Sequence, residues 1–457
     1  MSAARIGVVG GGLAGMAAAL GAADAGAEVV LFERRPVLGG LTASIVHNGL
    51  SFDNGQHVFL RCCTAYRGFI DRIGATDQVF LQDRLDVPVL APGGPRASIR
   101  RSALPAPLHL GVSLARYRHL SVRERLGLVR PALALGRLDP DDASLDASSF
   151  GDWLAGQGQD KRAIERLWNL IALPTINIAA DEASLLLATK VFRVGLLDRS
   201  DAGDIGWSRV PLGELHGAIA ARALAQAGVE AVLGSPVGAI VRSPLGTFTL
   251  SSGQRSAVVD AVILATPLRV AAGIGAPLGL AGVATQAERL GSSPIVNVHL
   301  VLDRKVTDLP LAACIDSPVQ FVFDRTVPSG VRSGQCLAVS LSAADSYIAK
   351  GSPELVTMFF EALGELLPAA RRARLLDAVV TREKAATFRG VPGTRTFRPS
   401  SRTEVPGVFL AGAACDTGWP ATMESAVRSG RQAASQALSL LSDTRVLDPR
   451  QLEGAGT

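Results

Sequence analysis

The sequence predicts an α/β protein built on a Rossmann-type nucleotide-binding domain, and three observations carry that prediction. The chain opens with a glycine-rich turn between a short apolar run and an Ala/Leu-rich helical stretch. A second strand-type run follows and closes on an acidic residue. Near the other end, a strand leads through a glycine-bearing loop into a long helix.

The opening turn sets the rest. Arg5 to Val9 reads as a strand, Met16 to Ala25 as a helix ended by Gly26, and Glu28 to Phe32 as the next strand. Between them stand Gly10, Gly12 and Gly15 in Gly-x-Gly-x-x-Gly spacing, with Leu13 and Ala14 inside the motif and Glu33 eighteen positions after the last glycine. Gly10 permits the tight turn, Gly12 lets the backbone approach a pyrophosphate, and Gly15 lets helix and strand pack closely. The helix N-terminus offers free N–H groups to phosphate. Glu33 can accept from ribose hydroxyls, with Arg34 beside it. The motif alone does not choose between NAD and FAD.

Length and composition bound the remainder. The 457 residues suffice for two domains. Hydrophobic residues make up 48% and charged residues 19%, so the chain is globular and apolar. The net charge of +5 comes with 41 Arg against 5 Lys, without a dense basic block interleaved with aromatics; nucleic-acid binding is not expected. The five cysteines (Cys62, Cys63, Cys314, Cys336, Cys415) lack metal or redox-pair spacing and are expected to be reduced thiols in a cytoplasmic protein. No metal site is expected. A signal peptide and an apolar run long enough to span a bilayer are both absent from the expectation.

The loop after Glu33 carries Gly39-Gly40-Leu41. Such a pair resembles the flavoprotein family of amine oxidases, protoporphyrinogen oxidases and phytoene desaturases, where it gives a second backbone approach to the FAD diphosphate. Ser44 to Asp53 then reads as a hairpin about Asn48-Gly49. Asp53-Asn54-Gly55-Gln56-His57 most closely resembles the hydroxysqualene dehydroxylases, also called squalene-associated FAD-dependent desaturases. In that family the segment runs along the isoalloxazine ring, which implies flavin contact for Gly55 and Gln56 and a proton-donor role for His57, with Asp53 as the weaker candidate.

Further on, Gly93-Gly94 marks another hairpin. Leu108 to Leu138 is Leu-rich with Arg116, Arg118, Arg123, Arg125, Arg130 and Arg137, and reads as helices with a basic side, a candidate membrane-facing surface. Phe150 to Leu173 reads as two helices. Pro174 to Ser184 reads as a loop with a helix cap near Ala180 or Asp181, and its resemblance to the dehydroxylase family implies a polar contact near the substrate for Asn177. Resemblance to the family's middle FAD segment implies backbone contact of Val237 with adenine. Val258 to Thr266 reads as one buried parallel strand. Pro294 to Asp303, Val319 to Asp324 and Cys336 to Leu341 read as strands, and Glu354 to Leu367 as an amphipathic helix; His299 is expected in the core. The final signal is Gly407 to Gly430, whose helix begins near Thr422. Its N-terminus can stabilise negative charge on a reduced flavin. The resemblance places Gly412, Thr422 and Met423 on the cofactor.

The resemblance thus implies a Rossmann-type FAD-binding domain with an inserted mixed α+β substrate domain, amine oxidase-like. Residues 1–75, 212–270 and 395–442 would form the first, 76–211 and 271–394 the second, and 443–457 a surface tail. It implies an FAD-dependent oxidoreductase acting on a lipophilic isoprenoid, foremost hydroxysqualene reduced to squalene in bacterial hopanoid synthesis. A carotenoid desaturase, an amine oxidase and a non-catalytic isoprenoid binder stay open beside it. The implied partners are an electron donor of unspecified nature and a peripheral membrane surface.

Overall fold

A computed structural model describes residues 3–253 and 255–446. Its organising element is a five-stranded parallel sheet in the order Glu230–Val232, Glu28–Phe32, Arg5–Val9, Ala261–Leu264, Val408–Leu410. Arg5–Val9, Ala261–Leu264 and Val408–Leu410 are short, almost wholly apolar and nearly fully buried runs, as cover on both faces requires. Three segments far apart in sequence therefore meet in one sheet. The helix Leu13–Asp24 covers one face and packs against the C-terminal helix Met423–Val446. That contact is tight: a Cβ on Gly430 would lie 2.1 Å from the Ala14 carbonyl oxygen.

The second body is a seven-stranded mixed sheet, ordered Leu375–Thr387, Ser293–Leu302, Gln335–Leu341, Phe321–Asp324, Leu311–Cys314, Asp86–Leu90, Ala97–Arg100. Helices drawn mainly from residues 108–197 pack into a separate apolar core around Tyr117, Phe150, Trp168 and Phe192. The Asn48-Gly49 hairpin forms as its turn chemistry dictates, with φ of 50° and 75° at the two turn residues.

Four expectations require correction. Val258 to Thr266 is not one strand: Arg255–Val259 is antiparallel to Phe248–Ser252, and Ala261–Leu264 joins the parallel sheet. The break falls at Asp260, whose carboxylate accepts the Arg5 amide and guanidinium. Pro174 does not end its helix. Asn169–Ile176 runs through it and stops at Asn177, whose φ is 59°. The proline sits in the last turn, where few carbonyls lose a donor. The next helix, Leu185–Phe192, starts after Ser184 rather than near Ala180 or Asp181, because Ser184 pairs with Ser149 in a bridge and turns its hydroxyl to Asp146. The C-terminal helix continues to Val446, past the expected onset of the tail; residues 447–457 lie outside the described residues.

Candidate active site

A cavity of about 820 Å³ begins at the glycine turn and extends into the second body. At the sheet end it is lined by Gly10, Gly12, Leu13 and Ala14 of the turn, and by Glu33 and Arg34 after the second strand. Gly39, Gly40 and Leu41 follow on the loop, and Val237, Gly412, Thr422 and Met423 close this end. Gly55, Gln56 and His57 lie where the two bodies meet. Gly15 is the exception among the expected cofactor residues. It packs against the turn itself, where a Cβ would stand 1.8 Å from the Gly10 carbonyl oxygen.

The two glycine segments are stitched together. The Gly39 amide donates to the Gly11 carbonyl at 2.9 Å, and Gly12 and Gly39 form a bridge. Gly39 and Gly40 have φ of 109° and 58°, the left-handed region that glycine enters freely. Glu33 is buried and accepts the amides of Gly11 at 2.6 Å and Arg35 at 2.8 Å, so its carboxylate is held at the turn.

The chemistry of this cradle fits a flavin dinucleotide. A Cβ on Gly12 would meet only the Gly40 Cα, at 3.9 Å, leaving the backbone open to a close ligand. Two residues that line the cavity, Gln56 and Thr266, each carry a buried polar atom, Nε2 and Oγ1, with no hydrogen-bond partner among the described residues. Such atoms call for a hydrogen-bonding ligand.

His57 lies at the junction. Its Nδ1–H donates to the Gly55 carbonyl at 2.9 Å, which leaves Nε2 to exchange a proton. Burial lowers its pKa below the ordinary 6.5, against the opposing pull of the Gly55 carbonyl and the Asp53 charge. The imidazole is therefore mostly neutral at pH 7 and becomes an acid only at lower pH. His216, beneath it, is pushed down to about 3 by burial and by His57; its Nε2 meets the Tyr66 hydroxyl at 2.9 Å.

Asp53 is not free to act as an acid. Its carboxylate accepts Arg325 at 2.8 Å, the Leu212 amide at 2.8 Å and the Ser44 hydroxyl at 2.7 Å. Asn177 is likewise committed: its amide donates to Ser293 and Thr387, and its carbonyl accepts from Ala343. It buttresses the wall of the cavity, which it also lines. His299 is buried as expected and donates from Nε2 to the Asp53 carbonyl. Sequence reasoning missed Arg325, Thr266 and Trp419; Arg325 lies 272 positions from its partner and has no local signal.

The far half of the cavity is aliphatic and aromatic. Ile99, Leu110, Leu128 and Leu135 line it with Leu167, Trp168, Phe192 and Leu196. The residues 104–133 that border it also present Leu104, Leu108, Val112, Val122, Leu126, Val129 and Leu133 outward, each 45–71% exposed.

A dinucleotide cradle opening into a dry chamber defines a cofactor-dependent oxidoreductase. The profile of the flavin containing amine oxidoreductase family matches residues 13–438, and the chain belongs to that family. Its cofactor is FAD. Among curated proteins it resembles zeta-carotene desaturase of Zea mays, at 24% identity over 94% of this chain and 83% of that protein. It also resembles hydroxysqualene dehydroxylase of Rhodopseudomonas palustris, at 28% identity over 94% of this chain and 98% of that protein. Among solved structures, putrescine oxidase bound to putrescine superposes with a TM-score of 0.71, at 18% identity over 96% of this chain and 99% of that one. Among the described residues no helix is long and apolar enough to cross a membrane, and no cluster of metal-ligating side chains occurs.

Proposed function

We propose that this flavoenzyme reduces an allylic isoprenoid alcohol, hydroxysqualene, to squalene. The observation that carries the reading is the long aliphatic half of the cavity, joined to the cofactor cradle at His57. A polyisoprene chain fits such walls, and the hydrophobic effect favours its transfer out of water. The three carboxylates that line the cavity already accept hydrogen bonds: Glu33 as above, Glu383 from Ala385, and Glu424 from Ala65, Tyr66 and Arg428. The side chains named above for the far half of the cavity carry no charge, which favours a neutral substrate over an ammonium.

When bound in its reduced form, FAD supplies a hydride. The chain's residues do the rest. Hydroxide leaves poorly, so the C–O bond breaks when a positioned acid protonates the oxygen. His57 Nε2 is the group proposed for that proton. The allylic cation left behind survives long enough to be quenched only where water is excluded, which the aliphatic walls provide. Gln56 Nε2 and Thr266 Oγ1 orient polar edges at the cradle end.

Carotene desaturation is the second reading, favoured by the similarity to zeta-carotene desaturase. It needs no protonated leaving group, so a histidine donor would be idle. Purified enzyme given hydroxysqualene with excess reductant under anaerobic conditions is expected to form squalene, and zeta-carotene with an oxidant is expected to stay unchanged; the reverse outcome would replace the first reading with the second. Because burial lowers the His57 pKa, the rate is expected to rise as the pH falls through and below 6.5. His57→Ala is expected to flatten that rise and slow the reaction by about 10²–10⁴-fold while FAD stays bound. An unchanged profile would remove His57 from the chemistry.

Residues 104–133 are the proposed membrane entrance, since their inner side lines the chamber and their outer side exposes apolar residues beside Arg116, Arg118 and Arg123. The protein is expected to float with anionic liposomes. Leu126→Ser combined with Arg-to-Glu changes at Arg116, Arg118 and Arg123 is expected to abolish flotation; undiminished flotation would refute the assignment.

A further inference from the structure

The proposed reaction leaves its electron source unassigned. Each turnover breaks a C–O bond, forms a C–H bond and releases water, so it consumes two electrons and two protons. The described surface carries a cleft suited to their delivery. This cleft, of about 440 Å³, is lined by Thr64, Ala65, Thr417, Arg428, Arg431 and Gln432, without a carboxylate.

Trp419 and Arg428 connect the cleft to the cofactor cavity. Trp419 lines the inner space, and the Arg428 guanidinium of the outer cleft lies over its ring at 5.1 Å. Arg428 is fixed from behind by the buried Glu424 at 2.7 Å, which also accepts the Ala65 and Tyr66 amides. Arg431 is exposed and makes no ion pair among the described residues. Arg67, one helical turn beyond Thr64, is exposed and likewise free of ion pairs there. Cationic groups thus gather at and beside a cleft in which Arg428 stacks on Trp419, a residue of the cofactor cavity's lining.

We propose that this cleft docks a small acidic electron-transfer protein, which reduces the cofactor by way of Trp419. Two carrier molecules are each oxidised by one electron per turnover. Those two electrons become the new C–H bond, and of two solvent protons one leaves with the hydroxyl as water. Opposite charge speeds such encounters and makes them salt-dependent. Redox encounters bury little area, which a small charged cleft can supply. The proposal rests on the reductive reading given above.

The test uses the FAD-loaded enzyme under anaerobic conditions, with reduced plant-type ferredoxin as the acidic probe and flavin bleaching as the readout. Reduction of the wild type is expected to accelerate as salt is lowered. Arg67→Glu combined with Arg431→Glu is expected to slow reduction by ferredoxin about tenfold or more at low salt and to remove the salt dependence, while reduction by dithionite stays equal. Equal ferredoxin rates in the two proteins, or a wild-type rate indifferent to salt, would overturn the docking site. Dithionite-reduced enzyme given hydroxysqualene checks the underlying reading apart from this: failure to form squalene there would remove the substrate while the ferredoxin comparison still judges the cleft.

Discussion

Gly12→Val is expected to give a folded protein that has lost FAD, whereas Gly15→Ala is expected to damage the fold itself. Both residues belong to one motif, but their surroundings differ. At Gly12 a Cβ finds only the Gly40 Cα at 3.9 Å, so the protein has room for a side chain and the close-approaching cofactor does not. A loss of about a hundredfold or more in FAD affinity, about 3 kcal/mol, follows from that obstruction. At Gly15 the Cβ would stand 1.8 Å from the Gly10 carbonyl oxygen, backbone that cannot move without opening the turn. The flavin absorbance and the melting temperature separate the cases: Gly12→Val loses the first and keeps the apo-protein's second, and Gly15→Ala loses both. Yellow Gly12→Val protein would contradict the placement of the diphosphate.

The second large effect is expected at the buried pair of Asp53 and Arg325. The two are 5% and 7% exposed and meet at 2.8 Å. Arg325 also donates to the Ser208 carbonyl, so the pair ties the first hairpin to residues 208–212 and the seven-stranded sheet. Removing one partner leaves an uncompensated charge in a dry place, and Asp53→Ala is expected to destabilise by about 3–5 kcal/mol. Adding Arg325→Met should restore most of that loss, because the stranded charge goes with it. Denaturant unfolding of the apo-protein measures both, and a single variant as stable as the wild type would show the pair to be dispensable.

These two cases mark what the sequence made legible. The cradle was readable because each part is local: the glycine turn, Glu33, the Gly39-Gly40 loop and the C-terminal helix start each occupy a few consecutive residues. The Asn48-Gly49 hairpin was readable for the same reason. Asp53 was not, because its meaning depends on Arg325, supplied by a distant strand end. Asn177 reads in sequence as a free polar residue, whereas the fold brings Ser293, Thr387 and Ala343 to it. The break within residues 258–266 is signalled by the one acidic residue Asp260, whose partner Arg5 lies 255 positions away. Pro174 misled because the rule against proline weakens in a helix's last turn.

A single turnover in deuterium oxide tests the dehydroxylation directly. Enzyme reduced beforehand, freed of excess reductant and mixed anaerobically with hydroxysqualene should become oxidised as squalene forms, one squalene for each FAD, carrying deuterium within the former allylic alcohol system. Hydroxysqualene recovered intact from enzyme that stays reduced, or squalene formed without deuterium, would contradict it.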